Sequence, residues 1–198
     1  VDCQSEYLRQ FGLMGSIYME KVMGVSRPRV GLLNIGAESE KGSRLYKEAH
    51  QLMASQSVYN FTGNIEARDV PNGDADVVVA DGFDGNIVLK YTEGLASSLV
   101  GMLKDEMMSS TRSKLGALLL KPALRTFKKR MDYEEYGGSP FLGVSGVVIK
   151  AHGSSGPVAF KNALRQAHKM VSVDISGQIA REMAKLAGLN DKGESDPQ

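Results

Sequence analysis

A chain of 198 residues, 42% hydrophobic and 24% charged, has the make-up of one good-sized soluble globular domain, or of a large piece of a bigger one. Its formal net charge of +1 speaks against a general nucleic-acid binder, and its single cysteine, Cys3, excludes an internal disulfide framework and suits a reducing cytoplasm. No apolar run approaches the ~20 residues of a membrane span, and the opening VDCQSEYLRQ has no signal-peptide pattern.

Predicted elements alternate along the chain. Residues 5–24, SEYLRQFGLMGSIYMEKVMG, set Leu8, Phe11, Met14 and Ile17/Tyr18 three and four apart, the spacing of an amphipathic helix. Residues 29–36, RVGLLNIG, read as a buried strand, and 38–55 as the helix after it. A second strand is predicted at 58–64 (VYNFTGN) and a third at 76–82 (DVVVADG). The helix at 86–109 carries a stripe of Val88, Tyr91, Leu95, Leu99, Met102 and Leu103. Between Leu103 and Gly143 there is no strand signal, and Pro122 in LGALLLKPALRTFKKR is expected to break or kink a helix. A helical hairpin inserted over about 103–136 is therefore expected. The fourth strand is predicted at 146–153 (GVVIKAHG), with a helix at 156–173. These strands are apolar on both alternating faces, as parallel strands covered by helices are. The reading is α/β, a doubly wound, mostly parallel sheet in one domain over 1–190, with a flexible polar tail at 191–198.

Ligands of open α/β sheets collect at the carboxyl ends of the strands. Each predicted strand ends in a polar, glycine-containing turn: NIGAESEKG, FTGNIEARD, ADGFDGN and KAHGSSGP. Glycine lets backbone amides approach a ligand, and the following helix offers unpaired N–H groups, which suits phosphate. Each turn alone is better explained by ordinary helix capping; four on one edge favour a site. Asn86 is placed to cap its helix, with Lys90 one turn further on the same face, either a cation over the turn or a surface partner of Glu93. Asp81 either orients a donor or water, or closes an Asx-turn. Glu40-Lys41 falls in a helix's first turn. His152, at a strand end beside Lys150, is the best acid/base candidate, because histidine titrates nearest neutral pH. His50 and His168 sit in amphipathic helices and read as structural. The three histidines and Cys3 lack metal-ligand spacing, no nucleophile elbow or nucleotide-binding glycine loop occurs, and Cys3 at the terminus is poorly placed for a covalent thiol mechanism.

Charge is unevenly spread. From Met107 to Met131 there is no acidic residue, while Arg112, Lys114, Lys121, Arg125, Lys128, Lys129 and Arg130 are positive. Leu115, Leu118, Leu119, Leu120, Leu124 and Phe127 lie among them. Such a segment describes a dimer-interface stem, a helix lying on an anionic bilayer, or both.

Taken in order, GLLNIGAESEKG, FTGNIEARD, DVVVADGFDGNIVLK, KLGALLLKPAL, YGG and GVVIKAHGSS resemble the bacterial phosphate acyltransferases of phospholipid synthesis over about residues 1–175. The resemblance implies a three-layer fold similar to the phosphotransacetylases and the isocitrate/isopropylmalate dehydrogenases. It implies attack of inorganic phosphate on the thioester of an acyl-acyl-carrier-protein, giving acyl phosphate, with no cofactor and no metal. It further implies a cytoplasmic homodimer held peripherally on the inner face of the membrane, touching lipid through Leu115, Leu118, Leu119, Lys121, Leu124 and Lys128. On this resemblance Asp81, Lys150 and His152 are catalytic. Asn86 and Lys90 join Asp81 on the phosphate side, and Ser154 joins Lys150 and His152 around the carbonyl. Asn34, Gly36, Lys41, Gly63, Asn64, Gly82, Gly85 and Gly153 line the substrate. Members of that family begin with a portion bearing an Asp/Gly-rich motif that nothing here matches. The chain, which opens without methionine, is thus expected to be the carboxyl part, incomplete in its site and inactive alone. Two other classes stay open: a nicotinamide-dependent dehydrogenase of the related fold, and a non-catalytic membrane- or partner-binding module.

Overall fold

The computed structural model describes residues 2–130, 137–153 and 155–193. Strand β1 (Arg29–Asn34) pairs in parallel with β2 (Asn60–Glu66) on one side and β3 (Val77–Val79) on the other, giving the order β2-β1-β3. Val30 to Leu33 are all buried, so both faces of β1 are covered, as its unbroken apolar run predicts. Helix α2 (Arg44–Ala54) connects β1 to β2, and β3 leads into α3 (Gly82–Met107). This alternation around a parallel sheet is the doubly wound α/β arrangement. Arg29 clamps the start of the sheet: its Nε and Nη2 each donate to the Asp76 carboxylate at 3.0 Å, and the Asp76 N–H donates to the Arg29 carbonyl at 2.9 Å.

Helix α1 (Ser5–Tyr18) packs on β1 and β3 and against α2. Glycine makes that approach possible: a Cβ on Gly15 would stand 2.6 Å from Val77 Cγ1. Leu8 and Leu13 of α1 join Val30, Leu32 and Met53 in the core. The same core takes Met170 from α5 (Pro157–Ser172) and Ile175, Ile179 and Leu186 from α6 (Ile175–Gly193). Helix α6 has no counterpart among the predicted elements, although Ile175, Ile179, Met183 and Leu186 follow helical spacing.

The fourth predicted strand departs from expectation. β5 (Val148–Lys150) pairs antiparallel with β4 (Ser139–Phe141), in a two-stranded ribbon that is not hydrogen-bonded into the parallel sheet. Val148 and Lys150 are exposed, so its apolar look does not reflect burial on both faces. Gly143, with φ of 80°, lies in the reversal between the strands, and β4 was hidden by its brevity and its proline.

The helical hairpin is present as α3 and α4 (Thr111–Arg130). α3 begins at Gly82, earlier than predicted, and α4 runs through Pro122 without interruption. Pro122 has no N–H to offer the Leu118 carbonyl one turn back, and Leu118 is a well-exposed residue. Residues 131–136 of the predicted insertion and 194–198 of the predicted tail lie outside the described residues.

Candidate functional site

The carboxyl edge of the sheet is organised by two asparagines. Asn34 ends β1; its Oδ1 accepts from the Ile35 N–H at 2.9 Å and its Nδ2 donates to the Lys41 carbonyl at 3.1 Å. Asn64 Nδ2 donates to the Glu38 carbonyl at 2.7 Å. Its Oδ1 is therefore left as acceptor, and His50 Nδ1, 3.0 Å away, carries the proton between them. The His50 ring stands edge-on to Phe61 at 5.2 Å. These bonds pin the loop 35–43, which contains Gly36, Glu40 and Lys41. Glu40 and Lys41 therefore precede α2 rather than lying in its first turn, because that helix begins only at Arg44.

Gly63 and Asn64 also sit differently from their predicted turn: both lie inside β2, which continues to Glu66. The register slips between Val30 and Gly31, leaving Thr62 as an extra residue whose Oγ1 donates to the Val30 carbonyl at 3.1 Å. Gly63 absorbs this bulge with φ of +98°, a value that L side chains rarely adopt. A bulge lengthens a strand past the point where glycine suggests it ends.

At the third turn Asp81, not Asn86, caps the helix. Asp81 Oδ1 accepts from the Phe83 and Asp84 N–H groups at 2.9 and 2.7 Å. Gly82 and Gly85 lie in the first turn of α3, and Asn86 is already inside the helix and exposed. Lys90, also exposed, lies about 13 Å along the axis from the cap. Tyr46 of α2 is buried against this turn. Its hydroxyl donates to Asp84 Oδ2 at 2.7 Å and accepts from the Asp81 N–H at 3.3 Å. Burial, then the bond to Asp84, pushes the phenol well above its ordinary value, so Tyr46 stays protonated. Burial and the nearby Asp81 charge likewise push the Cys3 thiol up, opposite to what an activated thiolate needs.

A cavity of about 330 Å³ opens between these parts. Leu33, Ile35, Ala67, Ile87 and Val88 form its apolar walls. Its polar groups include Ser43, Tyr46 and Asp84, and no lysine, arginine or histidine lines it among the described residues. Sequence reasoning passed over Tyr46, Ala67 and Ile87. A tyrosine in register with Ala49 and Met53 reads as core, and only the position of its hydroxyl marks it out.

The fourth turn is built separately. Lys150 ends β5, and Lys150, His152 and Gly153 are exposed; neither Lys150 nor His152 lines the cavity, and Ser154 lies outside the described residues. The Ser155 N–H donates to the His152 carbonyl at 3.0 Å. Helix α5 starts at Pro157 after Gly156, and among the described residues it has no side-chain cap and the buried Ser155 hydroxyl has no hydrogen-bond partner. Among the described residues no three of His, Cys, Asp and Glu converge as a metal-binding group.

The segment with the predicted lipid contacts lies on α4. Leu115, Leu118 and Leu119 are 63, 63 and 77% exposed, Lys121 is exposed, Leu124 is half-buried, and the Lys128 side chain lies outside the described residues. No described helix is long and apolar enough to cross a membrane.

The family model described as fatty acid synthesis protein matches residues 1–178. The chain belongs to that family. The match takes in the sheet, the cavity, the hairpin and the turn before α5, and ends just after α6 begins. A phosphate acyltransferase of Clostridium botulinum (strain Loch Maree / Type A3) is 56% identical over 190 residues, covering 96% of this chain and 56% of the relative. The phosphate acyltransferase of Clostridium acetobutylicum is 55% identical over 186 residues, 94% of this chain and 56% of its own. That of Alkaliphilus oremlandii is 54% identical over 185 residues, 93% of this chain and 55% of its own. The chain thus spans a little over half the length of the relatives it matches.

Proposed function

We propose that this fold serves acyl transfer from an acyl-acyl-carrier-protein to inorganic phosphate, supplying acyl phosphate for membrane phospholipid synthesis. The observation that carries the reading is identity above half, along nearly the whole chain, with proteins named phosphate acyltransferase. A phosphate oxygen forms the new bond to the thioester carbonyl carbon, the carbon–sulfur bond breaks, and the leaving thiolate takes up a proton. Phosphate is itself the nucleophile, so the raised Cys3 thiol has no part in the bond-making. No electrons change hands, and the reaction requires no redox cofactor.

The anion is best accommodated at the turn before α5. The amides of its first turn lack a side-chain cap, and the Ser155 hydroxyl is buried without a partner, among the described residues. The corresponding amides of α3 are already held by Asp81. In this reading Lys150 and His152 serve the carbonyl and the leaving thiolate, with Gly153 and Ser154 beside them, while Asn34, Asn64 and Asp81 shape the opposite wall.

Homodimer formation and peripheral membrane attachment belong to the same reading. None of the 26 residues of α3 is buried, and α4 bares Leu115, Leu118 and Leu119. Exposed apolar surface on that scale suits a partner helix or a lipid surface. The run of basic residues from Arg112 to Arg130 suits both anionic lipid and an acidic carrier protein.

The decisive assay incubates acyl-acyl-carrier-protein with and without phosphate and traps acyl phosphate as its hydroxamate. It is run on this chain and on a version extended to the length of its relatives. Phosphate-dependent hydroxamate from the extended version is expected. Thiol release indifferent to phosphate, or without hydroxamate, would overturn the proposal.

A further inference from the structure

We propose that the cavity between β1, α2 and α3 receives the amide-bearing arm of the thioester donor, a pantetheine-type arm, and not the phosphate. The inference rests on the acyl-transfer reading and assigns one part of that substrate to one place. Three features of the cavity carry it.

Charge comes first. The cavity contains the Asp84 carboxylate, has Asp81 immediately behind it, and presents no cationic side chain among the described residues. A phosphate anion, with about one to two negative charges near neutral pH, would be repelled here. Hydrogen-bonding capacity comes second. Tyr46 occupies Asp84 Oδ2, while Oδ1 has no partner among the described groups and can accept from an N–H or O–H donor. A hydrocarbon chain offers no such donor, whereas a pantetheine arm carries two amides and hydroxyls. Size and wall chemistry come third. About 330 Å³ is at the small end of ligand pockets, and its walls of Leu33, Ile35, Ala67, Ile87 and Val88 suit the methyl and methylene groups between those amides. A neutral ligand, apolar along its flanks and polar at intervals, meets all three demands together.

The pinned geometry supports a preformed site. Asn34 and Asn64 hold the 35–43 loop on one side, and the Tyr46–Asp84 bond fixes the first turn of α3 on the other. Little ordering remains for the ligand to bring about.

The test titrates the isotopically labelled chain, by amide NMR, with pantetheine, hexanoyl-pantetheine, hexanoate and inorganic phosphate in separate arms. Pantetheine and hexanoyl-pantetheine are expected to move the amides of Ala67, Ile87 and Val88 alike. Phosphate and hexanoate are expected to leave those amides in place. Ala67 and Ile87 are exposed, so Ala67→Trp and Ile87→Trp can fill the cavity without disturbing the core. Each is expected to weaken pantetheine binding about tenfold or more. Shifts produced equally by hexanoate, shifts produced by phosphate, or binding unaffected by both tryptophans would each overturn the assignment. The hydroxamate assay is independent: pantetheine binding here without acyl phosphate formation would refute the reaction and leave the cavity assignment standing. Acyl phosphate formation without binding here would do the reverse.

Discussion

The Tyr46 hydroxyl donates to Asp84 Oδ2 at 2.7 Å, joining residues 38 apart in sequence and tying α2 to the first turn of α3. The same oxygen accepts the Asp81 N–H, so one phenol serves both ends of the cap. Removing it in Tyr46→Phe leaves a partly buried N–H and a carboxylate oxygen without partners. The expected cost is about 1–2 kcal/mol, read as a lower urea midpoint at unchanged slope. An unchanged midpoint would mean that the bond does not hold the two helices.

The phenol also gives a pH signature. Its folded-state pKa is raised, so its contribution is fully present below the unfolded value of about 10 and is lost as pH rises above it. Stability of the unmodified protein should therefore fall more steeply above about pH 10 than that of Tyr46→Phe. Tyr59, whose phenol is also raised by burial, is common to both proteins and cancels in the difference. Parallel curves would contradict the proposed environment of Tyr46.

At the other end of the sheet, Arg29 and its backbone N–H hold the Asp76 carboxyl below the usual carboxylate range. A depressed folded-state pKa contributes stability above the unfolded value, about 4, which is lost as pH falls through the folded one. Arg29 is exposed and Asp76 half-buried, so water screens the pair and the effect on stability is small. Asp76→Asn should flatten the acid limb of a urea-midpoint against pH curve below about pH 4, and leave the alkaline limb unchanged. An identical acid limb would place the titration in other carboxylates.

Two glycines separate strain from crowding. Gly24 and Gly42 have φ of 80° and 91°, but a Cβ on Gly24 would meet open space, whereas one on Gly42 would stand 2.6 Å from Asn34 Oδ1. Gly24→Ala is expected to cost about 1 kcal/mol for its backbone alone. Gly42→Ala should cost more, about 2–3 kcal/mol, because Asn34 must also release the Lys41 carbonyl. Equal midpoint shifts for the two variants would show that Asn34 moves aside freely.

What the residues disclosed in advance follows from the range of their interactions. β1 was legible because Val30 to Leu33 are buried on both faces, and α2 because Tyr46, Ala49 and Met53 repeat at helical spacing. The bulge at Gly63 was not, because a register slip depends on the partner strand and not on β2 itself. Asp81 and Asn86 are both plausible caps locally; Asp81 takes the role, and its own N–H is held by Tyr46, which comes from another helix. β5 looked like a sheet strand because three apolar residues in a row are compatible with either pairing. Its antiparallel partner is only three residues long and includes a proline. The cavity was hardest to foresee, since Leu33, Tyr46, Ala67 and Ile87 meet only when two strand ends and two helix starts are brought together.

A leucine 77% exposed at position 119, with Leu115 and Leu118 each 63% exposed, contributes little to the packing of the chain on itself. Replacing Leu115 and Leu119 together by glutamate should therefore change stability by no more than about 0.5 kcal/mol. The same pair of changes adds negative charge to a segment whose neighbours Arg112, Lys114 and Lys121 would face an anionic bilayer. If α4 rests on lipid, the double variant should no longer float with phosphatidylglycerol-containing vesicles that carry the unmodified protein. If α4 instead packs against a second copy, flotation should persist and sedimentation should report a lighter species. Retention of both flotation and mass would leave the exposed leucines with neither role, and membrane attachment would then have to be sought elsewhere on the chain.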